Sequence, residues 1–299
     1  MFRTALGAAL TGAVLASPVL AEEVSVETAR GPVSVESSPE SVLVYDMTAL
    51  DTMDALGVEG ITTIENVLLD YANDYPGIPG TLFEPDFEAV NALQPDLIIA
   101  GGRSAAQVDD LSRFAPTLDM TVPGENGLEV ALSRIDAYGT LFDREDEAAA
   151  LSAEIESKIE EVRAAGEGKG TGLVVLTNGP KVSAYGAGSR FGWIHEVSGL
   201  PEAVEGLDTG THGEAVSFEY IREANPDWLL VIDRVAAIGA EGDSARATLD
   251  NPLVRETTAW QNDQVIYLNA ADIYLSGGGA TSLSNTLDIL ADAFGSTGS

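Results

Sequence analysis

The chain has 299 residues, 45% hydrophobic and 21% charged, a globular composition with apolar material for about two cores. Its 48 acidic residues against 15 basic ones leave a net charge of −33, which repels nucleic acid and anionic lipid. There is no cysteine, so disulfides, thiolate metal sites, cysteine nucleophiles and a lipid-modified cysteine are excluded.

The first 21 residues begin Met1-Phe2-Arg3, continue through a small, apolar stretch and reach Ala21 just before two glutamates. This is the pattern of a secretory signal peptide with cleavage expected after Ala21. The stretch is too short and too weakly apolar for a membrane span. The mature chain is expected in the periplasm, soluble and not lipid-anchored. Its acidic residues are scattered, as on a solvated surface that stays soluble at high salt.

Residues 41–46 (SVLVYD) read as a buried strand, and residues 51–56 start a helix. Short apolar runs follow at residues 97–100 (LIIA), 173–177 (LVVLT), 229–232 (LLVI) and 265–268 (VIYL). Bounded by turn residues and separated by helical patterns, they predict parallel strands of an α/β fold. Residues 127–165 space apolar side chains at Leu132, Ile135, Leu141, Leu151, Ile155, Ile159 and Val162, without proline, and run into Gly166, Gly168 and Gly170. The expectation is one continuous helix, ~60 Å long at ~1.5 Å per residue, acting as a strut. Two helices broken near Gly139 or Asp143 are the alternative.

An internal repeat organises the rest. Asp86-Phe87-Glu88-Ala89-Val90, then Pro95-Asp96-Leu97-Ile98-Ile99, precedes Arg103. Ser217-Phe218-Glu219-Tyr220-Ile221, then Pro226-Asp227-Trp228-Leu229-Leu230, precedes Arg234, every matched pair lying 131 residues apart. Each copy reads as a cap, a short helix, a Pro-Asp turn, a buried strand and an arginine past the strand end. The expected fold is therefore α/β: two Rossmann-like lobes joined by one long α-helix, with the ligand cleft between the lobes. Residues 22–126 form the first lobe, 127–165 the connecting helix and 166–299 the second lobe.

Ligands of open α/β sheets sit beyond the carboxyl ends of the strands, where Arg103 and Arg234 fall. Arg190 lies in a glycine-rich turn (residues 185–192, YGAGSRFG). Guanidinium groups bind anionic or planar oxygen ligands and stack on rings; pairing with local carboxylates is the alternative for each arginine alone. The glycines at 186, 188 and 192 miss the dinucleotide spacing, because Phe191 stands where the third glycine belongs. His195 reads as structural. His212, in a glycine-flanked loop, and Tyr274, before Gly277-Gly278-Gly279, read in isolation as an exposed loop residue and a core aromatic. Neither a nucleophile motif nor a histidine cluster for zinc is present.

The chain resembles the helical-backbone (class III) periplasmic binding proteins of ABC importers for siderophores, haem and cobalamin. It is similar within them to catecholate-siderophore binders of the CeuE/FatB type. The resemblance rests on residues 45–57 (YDMTALDTMDALG), 189–195 (SRFGWIH), 211–221 (THGEAVSFEYI), 225–234 (NPDWLLVIDR) and 273–279 (IYLSGGG). It implies that Arg103, Arg190 and Arg234 contact catecholate oxygens, and that His212 and Tyr274 ligate Fe(III) when the siderophore donates only four oxygens. Hard ferric iron with six ligands suits that set. It also implies that Glu88 and Glu219 dock on the permease, although a favourable first-turn position explains both glutamates equally well. A monomer without enzymatic activity or an intrinsic cofactor, carrying ferric siderophore as its transported ligand, is the expectation. Haem, cobalamin or hydroxamate cargo on the same scaffold is one alternative; a periplasmic α/β enzyme acting on an anionic substrate is the other.

Overall fold

The computed structural model describes residues 23–208 and 210–296; the signal peptide read at residues 1–21 lies outside them. The chain opens with an antiparallel hairpin, β1 (Glu23–Thr28) and β2 (Gly31–Glu36). Its alternation of glutamate or serine with valine places Val26 and Val35 in the core. The first lobe then runs β3 (Val42–Val44), α1 (Met47–Ala55), β4 (Ile61–Ile64), β5 (Gly77–Ile78), α2 (Phe87–Leu93), β6 (Leu97–Ala100), α3 (Val108–Leu111) and β7 (Thr117–Asp119). Its sheet has the order β5-β4-β3-β6-β7, parallel throughout. Strands β3 and β6 are buried at every residue, as an apolar run covered on both faces requires.

The expected single strut is two helices, α4 (Gly127–Leu141) and α5 (Glu145–Gly166). Asp143 takes a left-handed φ of 55°, and the Arg144 amide donates to the Gly139 carbonyl at 2.7 Å. This six-to-one bond is a Schellman stop with aspartate in the place glycine usually holds. Buried Phe142 keeps the apolar rhythm through the break, so periodicity alone runs the two helices together. The chain then doubles back. A Cβ on Gly139 would stand 2.5 Å from the Ala148 Cβ, and Ser152 Oγ donates to Asp136 at 3.4 Å, the pairing of an antiparallel helix hairpin. Helix α5, 22 residues long, spans ~33 Å. It passes from this hairpin to the second lobe, where Arg163 donates to the Glu196 carbonyl.

The second lobe comprises β8 (Gly172–Asn178), β9 (Lys181–Tyr185), α6 (Trp193–Ser198), β10 (Glu214–Val216), α7 (Phe218–Ala224), β11 (Trp228–Asp233), α8 (Arg234–Ala237), α9 (Ala245–Leu249), α10 (Thr258–Gln261), β12 (Val265–Tyr267) and α11 (Ala270–Leu275). The C-terminal helix α12 (Ala280–Ser296) follows. The sheet order is β10-β9-β8-β11-β12. Strands β8, β11 and β12 are parallel as expected, whereas β9 and β10 are antiparallel additions. The repeat is structural as well: α2 and α7 are capped by Asp86 and Ser217, and left-handed Gln94 and Asn225 end them.

One apolar core joins the lobes, uniting Val42 and Met53 of the first with Trp228 and Ile232 of the second through α4, α5 and α12. Helix α12 is pinned to the first lobe at its N-terminus. The Asp51 carboxylate on α1 accepts from the Thr281 amide at 2.7 Å and from the Ser282 amide, and Tyr71 Oη donates to it at 3.1 Å. Burial pushes Asp51 up to about 7, against the lowering effect of these bonds.

Candidate ligand-binding site

A cavity of about 530 Å³ opens between the lobes at the carboxyl ends of β3 and β6. Arg103 reaches it from the turn after β6. Ser104, fully buried, fixes that turn by donating to the Tyr45 carbonyl at 3.0 Å and accepting from the Gly101 amide at 3.0 Å. Gly101 admits no side chain, since a Cβ would lie 2.6 Å from Asp46 Oδ2 and 2.9 Å from the Thr121 amide.

Arg190 arrives from the glycine-rich turn between β9 and α6. Here the glycines serve close self-packing rather than phosphate contact. A Cβ on Gly192 would meet the Gly186 carbonyl at 2.6 Å, and Ser189 Oγ donates to that carbonyl at 2.5 Å. Arg234 opens α8, whose cap is Asp233. Tyr274 stands near the end of α11, a helix capped by Asn269.

These four side chains converge, although they come from four segments. The Tyr274 carbonyl accepts from Arg103 Nη2 at 2.7 Å and from Arg190 Nη2 at 2.5 Å. Arg234 Nε donates to Tyr274 Oη at 2.9 Å. The guanidinium carbons lie 5.0, 4.7 and 5.7 Å from the Tyr274 ring centre for Arg103, Arg190 and Arg234, within cation–π range. Arg103, Arg190, His212 and Tyr274 line the cavity. Arg234 is not among its lining residues and meets it through the Tyr274 hydroxyl. His212 is exposed at the rim. Glu88 and Glu219 do not line the cavity: both are exposed, in the first turns of α2 and α7. His195 is buried between the carbonyls of Leu200 and Tyr185, and burial lowers its pKa, as a structural histidine requires.

The electrostatics favour an anion. Arg190 is lowered by burial first and by the charge of Arg103 second. Burial would raise the Tyr274 phenol, but the Arg234 hydrogen bond and the three guanidinium charges outweigh it and bring the phenol below its ordinary value. Three cations around one ring repel one another, and a bound oxyanion relieves that repulsion. Among the described residues no group of three or more His, Cys, Asp or Glu side chains is arranged to hold a metal ion.

Sequence reasoning missed several lining residues, including Asp46, Phe83, Thr121 and Trp193. Asp46 follows β3 and caps α1 by accepting from the Ala49 amide at 2.8 Å; burial raises it to about 6. The strand-end rule that singled out the arginines applies equally to this aspartate.

Residues 42–271 match the family described as periplasmic binding protein. The chain belongs to that family. This binding protein is 37% identical to the petrobactin-binding protein YclQ of Bacillus subtilis over 86% of its own length and 83% of that protein's. It is 30% identical to the ferric-anguibactin-binding protein FatB of Vibrio anguillarum over 88% and 85% of the two chains. The structure of the periplasmic catecholate-siderophore binding protein VctP of Vibrio cholerae superposes with a TM-score of 0.84 at 30% identity, covering 91% of this binding protein and all of that chain. The two-lobed α/β fold expected from the sequence is thus the fold of its relatives. Among the described residues no helix is long and apolar enough to cross a membrane.

Proposed function

We propose that this protein is the substrate-binding component of an iron-siderophore ABC importer and that its cargo is a ferric catecholate. The observation that carries the reading is the convergence of Arg103, Arg190 and Arg234 on Tyr274 in an inter-lobe cavity. Ferric catecholates are anionic, and planar guanidinium forks match their paired oxygens. A cationic cluster on a protein of net charge −33 is the local exception such a ligand demands. The siderophore ligands named for its relatives support the same class of cargo.

In this reading the three arginines hold catecholate oxygens. A tetradentate siderophore leaves two iron positions open, which His212 and the Tyr274 phenolate fill; the arginines that already lower the phenol assist its ionisation. Glu88 and Glu219, one per lobe, contact the permease. The chain is exported by the leader at residues 1–21 and works as an unanchored periplasmic monomer, with the first lobe over residues 22–126, the α4–α5 pair over 127–165 and the second lobe from residue 166.

Trp193 lines the cavity, so its fluorescence reports occupancy. Titration with a ferric bis-catecholamide and with a ferric hydroxamate should give tighter binding of the catecholate. Preference for the hydroxamate contradicts the assignment. Mass spectrometry of ligand recovered from the complex should return the siderophore unchanged.

A further inference from the structure

Three large hydrophobic side chains are exposed among the described residues: Leu68, Phe83 and Phe87. Two have partners. Leu68 reaches across to Gly239, where a Cβ would meet its Cδ1 at 2.9 Å. Phe87 stacks on Phe114, with ring centres 5.8 Å apart and planes 9° from parallel. Phe83 is 61% exposed, the most of the three. No ring stacks on it among the described residues, yet it lines the inter-lobe cavity beside Leu82.

Its position is held firmly. Thr81 Oγ1 accepts from the amides of Phe83 and Glu84 at 3.2 and 3.0 Å, and the Thr81 amide donates to the Glu84 carbonyl at 2.9 Å. A bridge between Gly80 and Pro85 closes the turn, with Gly80 at φ 112° and no room for a Cβ. Gln107 Nε2 donates to the Phe83 carbonyl at 3.0 Å. Gln107 ends the same six-residue 3-10 turn, Gly102–Gln107, that carries Arg103. Two turns joined by this hydrogen bond therefore set a cation and an exposed ring on the first-lobe side of the cavity.

We infer that Phe83 is a specificity-determining residue whose ring packs on an aryl ring of the chelate while the arginines hold the oxygens. This rests on the siderophore reading above and sharpens it. Phe83 selects chelates that present an aromatic face over ring-free ones such as ferric citrate. With its backbone hydrogen-bonded in place, Phe83 has only its own ring torsions to order on contact, and an aromatic pair gains beyond simple burial.

The test titrates Trp193 fluorescence with a ferric bis-catecholamide and with ferric citrate, for the unaltered chain, Phe83→Ala and Phe83→Tyr. Phe83→Ala should weaken bis-catecholamide binding about tenfold. Phe83→Tyr should hold it within about twofold, because the ring is kept. Ferric citrate titrations should be superimposable for all three chains. Undiminished bis-catecholamide binding by Phe83→Ala, or equal losses for both chelates, overturns the role of Phe83 and leaves the siderophore reading standing. Failure of the unaltered chain to bind the bis-catecholamide overturns both.

Discussion

The two lobes share one supersecondary unit and use its arginine differently. In the first lobe α2 and β6 lead to Arg103, which donates across the cleft to the backbone carbonyls of Tyr274 and Leu275. In the second lobe α7 and β11 lead to Arg234, which stays within its own lobe on Tyr274 Oη and the Asn178 side chain. The sheets differ too. The first is parallel throughout, whereas the second exchanges its outer parallel strands for the antiparallel β8-β9-β10 ribbon. That ribbon leads into the turn bearing Arg190, for which the first lobe has no counterpart. Duplication thus accounts for two of the cations, and the departure from duplication supplies the third.

Removing the unduplicated cation should cost most. Arg190 is the arginine lowered by burial, and truncating a buried charged partner costs about 2 kcal/mol or more. Arg190→Ala should therefore weaken ferric bis-catecholamide binding about 30-fold or more by calorimetry. Arg103→Ala and Arg234→Ala should each lose about tenfold, and they should differ in a second readout. Of these two arginines Arg103 alone bridges the lobes, so only Arg103→Ala should enlarge the ligand-free molecule in small-angle scattering. Equal scattering changes for both variants would remove the distinction drawn between the repeats.

Tyr274→Phe and His212→Ala should have a smaller effect on affinity than Arg190→Ala, about tenfold with a tetradentate chelate, and a distinct effect on colour. Loss of a phenolate ligand shifts the visible charge-transfer band of the ferric complex. An unchanged spectrum in both variants would rule out direct coordination and leave the arginine site intact.

Much of the architecture was legible because it is written in burial. The five apolar runs read as strands are β3, β6, β8, β11 and β12, each covered on both faces or nearly so. The other strands escaped for definite reasons. β5 is two residues long, β4 carries two buried threonines, one donating to the Val44 carbonyl, and β9 alternates with polar residues. The stop between α4 and α5 was legible only as the alternative break near Gly139 or Asp143, because aspartate, not glycine, occupies its left-handed position. At the site, residue type together with strand-end location singled out Arg103 and Arg234, and a glycine-rich turn singled out Arg190. Their meeting at Tyr274 was not readable, because Arg103 and the carbonyl it contacts are 171 residues apart and a main-chain acceptor leaves no trace in residue type. Phe83 escaped because an aromatic in a polar turn carries no period.

The Asp51 link between lobes gives a pH prediction for stability rather than affinity. Its folded pKa, about 7, lies above the ordinary aspartate value of 3.8. The folded state therefore holds the extra proton between those values, and this contribution to stability is present below pH 4 and lost as pH rises to 7. Asp51→Asn, which keeps an acceptor for the α12 amides, should flatten the decline in Tm across this range, by an amount corresponding to about 4 kcal/mol. Parallel pH profiles for the two proteins would contradict the claim that burial outweighs the hydrogen bonds to this carboxylate. Least affected should be affinity in the Glu88→Ala, Glu219→Ala double variant, within about twofold as for exposed sites. Iron uptake by cells should fall nonetheless; normal uptake would count against these glutamates as permease contacts.

The most direct test of the whole account is a crystal structure of the protein with a ferric bis-catecholamide. The account predicts catecholate oxygens ~3 Å from the guanidinium nitrogens of Arg103, Arg190 and Arg234, taking over bonds that the Tyr274 carbonyl and hydroxyl accept in the free chain. A chelate bound elsewhere, with all three arginines still gathered on Tyr274, would contradict it.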